Sequence, residues 1–388
     1  MPIRFSRPPP PRNKRQPNGN PKLKPYAVPC MPPQRGLLLV LVGLFLICTA
    51  TWRAMDVTSS ERLLHPQPAP PHPKLHVVTY VTETKGAGFC RFLLSALATG
   101  YDPIVLGGTS AATGDQAKKL KIGAYRSYIS EKVPDDDVVL IVDGFDVYFQ
   151  LGPTHLLTRY LSLMQNQPSW PVIASAEKGC WPFAMQGDQG KNKCLAAPAS
   201  PIPPSVYGGP DTGSPEPWFK TTTPPRWLNA GSIIGYSRKG TSGMKSLFAG
   251  ISDAEVDSAY DDQAVLLQRF VDGTHGITLD YYSELFQTFE ASTMDLLLRN
   301  VSVPVPGYDE YGADVRAYWQ NRFTNKVPIL LHFNGEGKSG DHMERFWKDL
   351  YFVNSDPPFS PSPTHGFINQ DGIFVPFDKV CPPVPKGL

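Results

Sequence analysis

Apolar positions along this chain follow two alternating rhythms. Short β-branched runs suit strands buried on both faces, and the segments between them carry the apolar spacing of helices. Leu75 to Thr82 (LHVVTYVT) is the first run, broken by Gly86 and Gly88. Phe89 to Gly100 then reads as a helix with a glycine stop. PIVLGG from Pro103 is a second strand, and Asp115 to Lys132 is a helix with Leu120, Ala124 and Tyr128 on one face. Val138 to Phe149 (VVLIVDGFDVYF) follows, Thr154 to Gln165 is helical, and VIASAE from Val172 is another strand. Further on, Trp227 to Tyr236 (WLNAGSIIGY) reads as a turn and a strand. Asp261, Asp262 and Gln263 open the helical run AVLLQRF, and Val327 to Gly335 (VPILLHFNG) is a strand that ends in His332 and Asn334. Such alternation predicts an α/β fold, a mostly parallel sheet flanked by helices. No internal repeat is visible, and the glycine patterns of a dinucleotide or P-loop phosphate cradle are missing.

Proline sets the domain limits. Of 42 prolines, 11 fall in residues 1–35, five in 62–73, nine in 196–225 and eight in 353–388. Such stretches are expected to form neither helices nor central strands. The folded body is therefore expected over 74–352, with an insertion at 196–225, a stem at 53–73 and a tail at 353–388.

Charge adds a membrane reading. Residues 1–35 carry eight Lys/Arg and no Asp/Glu, while the rest carries 29 basic and 35 acidic side chains. A mildly acidic body argues against nucleic acid as a partner. Gly36 to Trp52 holds 17 residues without a charge. Behind a basic arm, this is expected to be a single-pass type II anchor with the body in the lumen. A cleaved signal peptide, with Cys48 and Ala50 before the cut, is the alternative. Under the anchor reading Cys90, Cys180, Cys194 and Cys381 face an oxidising compartment, where three pairings are open. Cys180 with Cys194 is favoured, because it closes a short loop beside the insertion. Asn300-Val301-Ser302 is a glycosylation sequon that agrees with a luminal body.

The chemistry concentrates at Asp143-Gly144-Phe145-Asp146, at the carboxyl end of an apolar strand, where open α/β sheets bind ligands. Two carboxylates there can share a hard divalent cation, and His332, ending another strand, can complete the set. On spacing alone, an Asx turn, a hydrogen-bonded histidine and a solvated Lys118–Lys121 face account for the same residues.

Five motifs, VVLIVDGFDVYF, SAEKGCWPF, WLNAGSIIGY, DDQAVLL and ILLHFNG, stand in the order found in the glycosyltransferase domain of procollagen lysyl hydroxylase/glycosyltransferases, which this chain resembles over about Leu75 to Gly337. The resemblance implies a GT-A fold that uses a UDP-sugar donor and Mn²⁺. It implies Asp143, Asp146 and His332 as metal ligands and Thr79, Val81 and Thr82 as nucleoside contacts. Phe145 falls where that family stacks a tyrosine on uracil. Asn334 and Gly335 match the diphosphate loop, and Cys180, Trp181 and Asn229 the sugar and acceptor pocket. Asp261 and Asp262 match part of an acidic run near the transferred sugar, shorter here. Lys118 and Lys121 fall near a basic helix of that family. No histidine begins an HxD pair, so no lysine hydroxylase activity is expected. The expected activity is transfer of a hexose to a protein or glycan acceptor in the Golgi or ER. An inactive glycosyltransferase-like binding protein, or a membrane-tethered structural protein, is the alternative.

Overall fold

The computed structural model describes residues 73–108, 114–165, 171–207, 223–240, 242–304 and 314–382. The arm at 1–35, the anchor at 36–52 and nearly all of the stem lie outside the described residues. No helix among the described residues is long and apolar enough to cross a membrane.

Thirteen strands are named here in chain order: β1 Leu75–Val81, β2 Pro103–Gly107, β3 Val138–Asp143, β4 Val147–Phe149, β5 Val172–Glu177, β6 Trp227–Tyr236, β7 Ile277–Asp280, β8 Phe286–Thr288, β9 Leu296–Val303, β10 Asp314–Asn321, β11 Leu330–His332, β12 Gly366–Asn369 and β13 Phe374–Pro376. Eight of them form one sheet in the order β13-β12-β2-β1-β3-β6-β5-β7. The β12–β2, β2–β1, β1–β3 and β5–β7 pairings are parallel. β6 runs antiparallel to both β3 and β5. The expected α/β architecture is thus present, and the sheet is mostly parallel.

Strand alternation divides the core in two. Val77, Val81, Leu140 and Val142 face one layer, packed on Phe89, Phe92, Leu156 and Tyr160 of the helices Ala87–Ala98 and Pro153–Gln165. Val78, Tyr80, Val139 and Ile141 face the other, packed on Ile122, Tyr125 and Ile129 of the helix Gly114–Lys132. Burial on both faces explains why β1 and β3 read as unbroken apolar runs. A three-stranded sheet, β4-β11-β8, packs into the first layer.

Four expectations need correction. Leu120 is 45% exposed, and the helix Gly114–Lys132 instead buries Ile122, Tyr125 and Ile129, a stripe offset from the one expected. Trp227–Tyr236 holds no turn; all ten residues are strand and buried. The insertion holds one helical turn, Pro204–Tyr207, with proline at its first position, where the missing N–H costs nothing. The folded body also does not stop near Phe352. β12 and β13 extend the main sheet, Phe367 meets Phe89 edge-on at 5.7 Å, and Cys381 is bonded to Cys90. Prolines in this segment flank the strands or end one, so the apolar residues between them remain free to pair. Cys180 and Cys194 form the second disulfide, as favoured from their spacing.

Candidate functional site

The chain changes sheets at Asp143. β3 ends there, Gly144 and Phe145 turn, and β4 begins after Asp146 in the smaller sheet. Only glycine fits at 144, because a Cβ would lie 2.4 Å from Val81 Cγ1 and 2.7 Å from Thr79 Oγ1. β11 runs antiparallel to β4 with His332 opposite Val147, and the Phe333 amide donates to the Asp146 carbonyl at 2.8 Å. Two strands distant in sequence thereby place His332 Nε2 3.6 Å from Asp143 Oδ2 and 3.7 Å from Asp146 Oδ1.

Among the described residues this is the one trio of His, Cys or carboxylate donors whose ligating atoms all lie within 4.8 Å of each other. Both imidazole nitrogens of His332 are buried without a hydrogen-bond partner. Buried polar atoms are normally satisfied, and a cation between the three side chains would satisfy Nε2, the nitrogen that faces both carboxylates. Two carboxylates and an imidazole suit a divalent cation. Without a cation, burial would push the imidazole pKa down, but Asp146 and Asp143 outweigh it and hold it up at about 9.

The trio floors a cleft of about 560 Å³. The helix Gly114–Lys132 directs Lys121 into it, 2.6 Å from Asp143 Oδ1 and 3.3 Å from Asp262 Oδ2. Burial alone would raise the Asp143 pKa, yet Lys121 and His332 hold that carboxyl well below the usual range. Lys338, at the end of the 3₁₀ turn Gly335–Lys338 after β11, contacts Asp146 Oδ2 at 2.8 Å. Asp261 caps the helix Asp262–Val271, accepting from the Ala264 amide at 2.9 Å, while its other oxygen accepts from Trp181 Nε1 at 2.9 Å. Burial pushes the Asp262 carboxyl up.

One side of the floor is an amide network around Glu177. Its carboxylate accepts from Asn229 Nδ2 at 3.0 Å, Asn334 Nδ2 at 2.5 Å and Gln263 Nε2 at 2.6 Å. Burial outweighs these bonds and pushes its pKa up to about 8. Asn334 also accepts from the Phe289 and Glu290 amides, so the Asn334–Gly335 loop is pinned from below.

Of the residues expected at the site, Asp143, Phe145, Asp146, Trp181, Asn229, Asp261, Asp262, His332, Asn334 and Gly335 line this cleft, as does Thr82. Thr79, Val81 and Cys180 do not. Thr79 and Val81 point into the layer beneath Gly144, and strand alternation gives their place to Tyr80. Cys180 is buried in its disulfide beside the cleft-lining Gly179 and Trp181. Glu177, Gln263 and Lys338 also line the cleft and were not expected there from the sequence. Glu177 lies within the SAEKGCWPF motif and Gln263 in DDQAVLL, whereas Lys338 had no signal beyond following HFNGEG.

Residues 71–187 match the PLOD GT domain. The matched segment carries β1 to β5, the Asp143–Asp146 turn, Glu177 and Trp181. The resemblance read from the motifs is borne out. The chain is 27% identical over 290 residues to procollagen-lysine,2-oxoglutarate 5-dioxygenase 1 of Rattus norvegicus, covering 70% of this chain and 32% of that protein. It is 24% identical over 338 residues to multifunctional procollagen lysine hydroxylase and glycosyltransferase LH3 of Homo sapiens, covering 84% of this chain and 37% of that protein. The chain thus spans about a third of the length of the curated relatives it matches. Among solved structures, a glycosyltransferase involved in the glycosylation of the major capsid of PBCV-1 aligns at 12% identity and a TM-score of 0.36, covering 71% of this chain and 98% of that one. Mouse xyloside xylosyltransferase 1 aligns at 10% identity and a TM-score of 0.35, covering 69% and 99%.

Proposed function

We propose that this chain is a metal-dependent glycosyltransferase that moves a hexose from a UDP-sugar to a protein or glycan acceptor. The single observation that carries the reading is the buried His332 imidazole, without a hydrogen-bond partner between Asp143 and Asp146, at the floor of a cleft part of whose lining lies in the segment that matches the PLOD GT domain. Asp143, Asp146 and His332 would hold Mn²⁺, which when bound neutralises the donor diphosphate and helps it leave. Lys121 and Lys338 bring two further positive charges to the same end of the cleft. Phe145 offers a ring to the uracil beside Thr82 and Tyr80. Trp181 and Asn229 flank the space for the hexose. Asp261 and Asp262, opposite, position the sugar and stabilise positive charge that develops at its anomeric carbon. Asp261 is held for this role by its helix cap and the Trp181 bond.

We propose further that a type II anchor at 36–52 holds the cleft in the Golgi or ER lumen. The two disulfides support an oxidising compartment. UDP release from a panel of UDP-sugars, with Mn²⁺ or with chelator, tests the activity. Metal-dependent release from at least one UDP-hexose is expected. No release from any of them, by protein with both disulfides formed, contradicts it.

A further inference from the structure

β9 and β10 form a two-stranded sheet, so each strand has one edge without a strand partner among the described residues. Their register sets Asn300 opposite Ala317, Ser302 opposite Val315 and Leu298 opposite Trp319. Paired residues share a face of a sheet, and so do residues two apart on a strand. Asn300 therefore sits on a face that also carries Ser302, Leu298, Val315, Ala317 and Trp319, of which Trp319, at one end, is buried in the core. Leu298 is 39% exposed and Val315 66%, while Val301, on the opposite face, packs against the core. An exposed apolar face on an open strand edge is a liability for self-association. In this chain the face has an acceptor for a large polar group at its centre.

We propose that Asn300 carries an N-linked oligosaccharide, and that this glycan covers the apolar face of the β9–β10 ribbon. Asn300-Val301-Ser302 is the single Asn-x-Ser/Thr triplet of the chain. Asn300 and Ser302 are both exposed and side by side on one face, which is the presentation the modification needs. The donor is an oligosaccharide on a polyprenyl diphosphate. The Asn300 side-chain nitrogen attacks its anomeric carbon, a carbon–nitrogen bond forms and the carbon–oxygen bond to the diphosphate breaks. The amide gives up one proton, and the lipid diphosphate leaves with the bonding pair. None of this rests on the catalytic reading of the cleft, which Asn300 does not line.

The test is the full chain expressed in a eukaryotic cell and treated with an amidase that releases N-glycans, in ¹⁸O-water. One mobility step is expected, with Asn300 converted to ¹⁸O-labelled Asp in the peptide mass spectrum. Asn300→Gln and Ser302→Ala should each abolish the step. An unmodified Asn300 peptide overturns the site, whichever compartment holds the protein. For the covering role, sedimentation of the native protein before and after glycan release should show increased self-association, reduced again by Val315→Lys. Unchanged sedimentation overturns the covering role.

Discussion

Lys178 Nζ lies 2.8 Å from both carboxylate oxygens of Asp295, and neither side chain reaches solvent. The ammonium also lies 4.9 Å from the centre of the Tyr207 ring, so the pair fastens the near end of the Pro-rich insertion below the strand that carries Glu177. Burial sets the charges at odds with their surroundings, pushing Asp295 up to about 6 and Lys178 down. Removing one partner leaves a buried charge alone. Lys178→Met should cost about 3–5 kcal/mol, and Lys178→Met with Asp295→Leu should recover most of it. Urea unfolding at pH 7 measures both. Equal midpoints for the single and double variants would show that the pair is not coupled.

Gly231 packs against the imidazole of His332. A Cβ at 231 would lie 2.1 Å from His332 Cε1 and 2.6 Å from Nε2. Gly231→Ala must therefore turn the ring away from Asp143 and Asp146. Mn²⁺ affinity is expected to fall about 10-fold or more, the usual cost of losing the support of a metal ligand. Electron paramagnetic resonance of free Mn²⁺ reads this directly. Unchanged affinity in a folded variant would place the metal away from His332.

Glu177 makes stability fall as pH rises. Its carboxyl titrates at about 8 in the fold, because burial disfavours the charge, against the ordinary carboxylate range in the unfolded chain. Between those values the folded state holds a proton that the unfolded state has lost. Its contribution is therefore complete at acid pH and declines until about pH 8, by up to about 1.4 kcal/mol per pH unit. Glu177→Gln should flatten this decline. Denaturant midpoints at pH 5 and pH 8 in chelator decide it, and a wild-type slope retained in the variant would assign the decline to another group.

The carboxyl-terminal strands belong to the body. Cys90–Cys381 joins residues 291 apart in sequence, and β12 and Phe377 cover the helix Ala87–Ala98. That helix begins against the Asp143–Asp146 turn, since a Cβ on Gly88 would meet the Phe145 carbonyl oxygen at 2.7 Å. Cys381→Ser should lower stability by about 2–5 kcal/mol. Truncation before Gly366 should lower it further and weaken donor binding. A truncated chain that melts like the full one would show that the tail contributes nothing.

Strand positions were legible because β1, β3, β5 and β6 are buried on both faces, which forces unbroken apolar runs. The Asp143–Asp146 turn was legible because it ends such a run. The small sheet was legible only in part: the apolar run over Val327 to Gly335 contains β11, whereas β4 and β8 have three residues each, too few to show a period. The tail was hidden for a different reason: its prolines dominate the composition, while four-residue β12 does the pairing. Lys121 reads as one lysine of a solvated face, and only the packing of Ile122 and Tyr125 turns it toward Asp143. Thr79 and Val81 went astray by one step of strand alternation.

Metal binding in this cleft depends on the trio Asp143, Asp146 and His332. The most direct measurement is calorimetric titration of Mn²⁺, in the presence of UDP, into the wild type, Asp146→Asn and His332→Ala, each checked for native circular dichroism. One Mn²⁺ site is expected in the wild type, with both variants folded and binding weakened on the order of 10²-fold, along with a comparable loss of UDP-sugar turnover. Folded variants that bind Mn²⁺ as the wild type does would contradict the assignment.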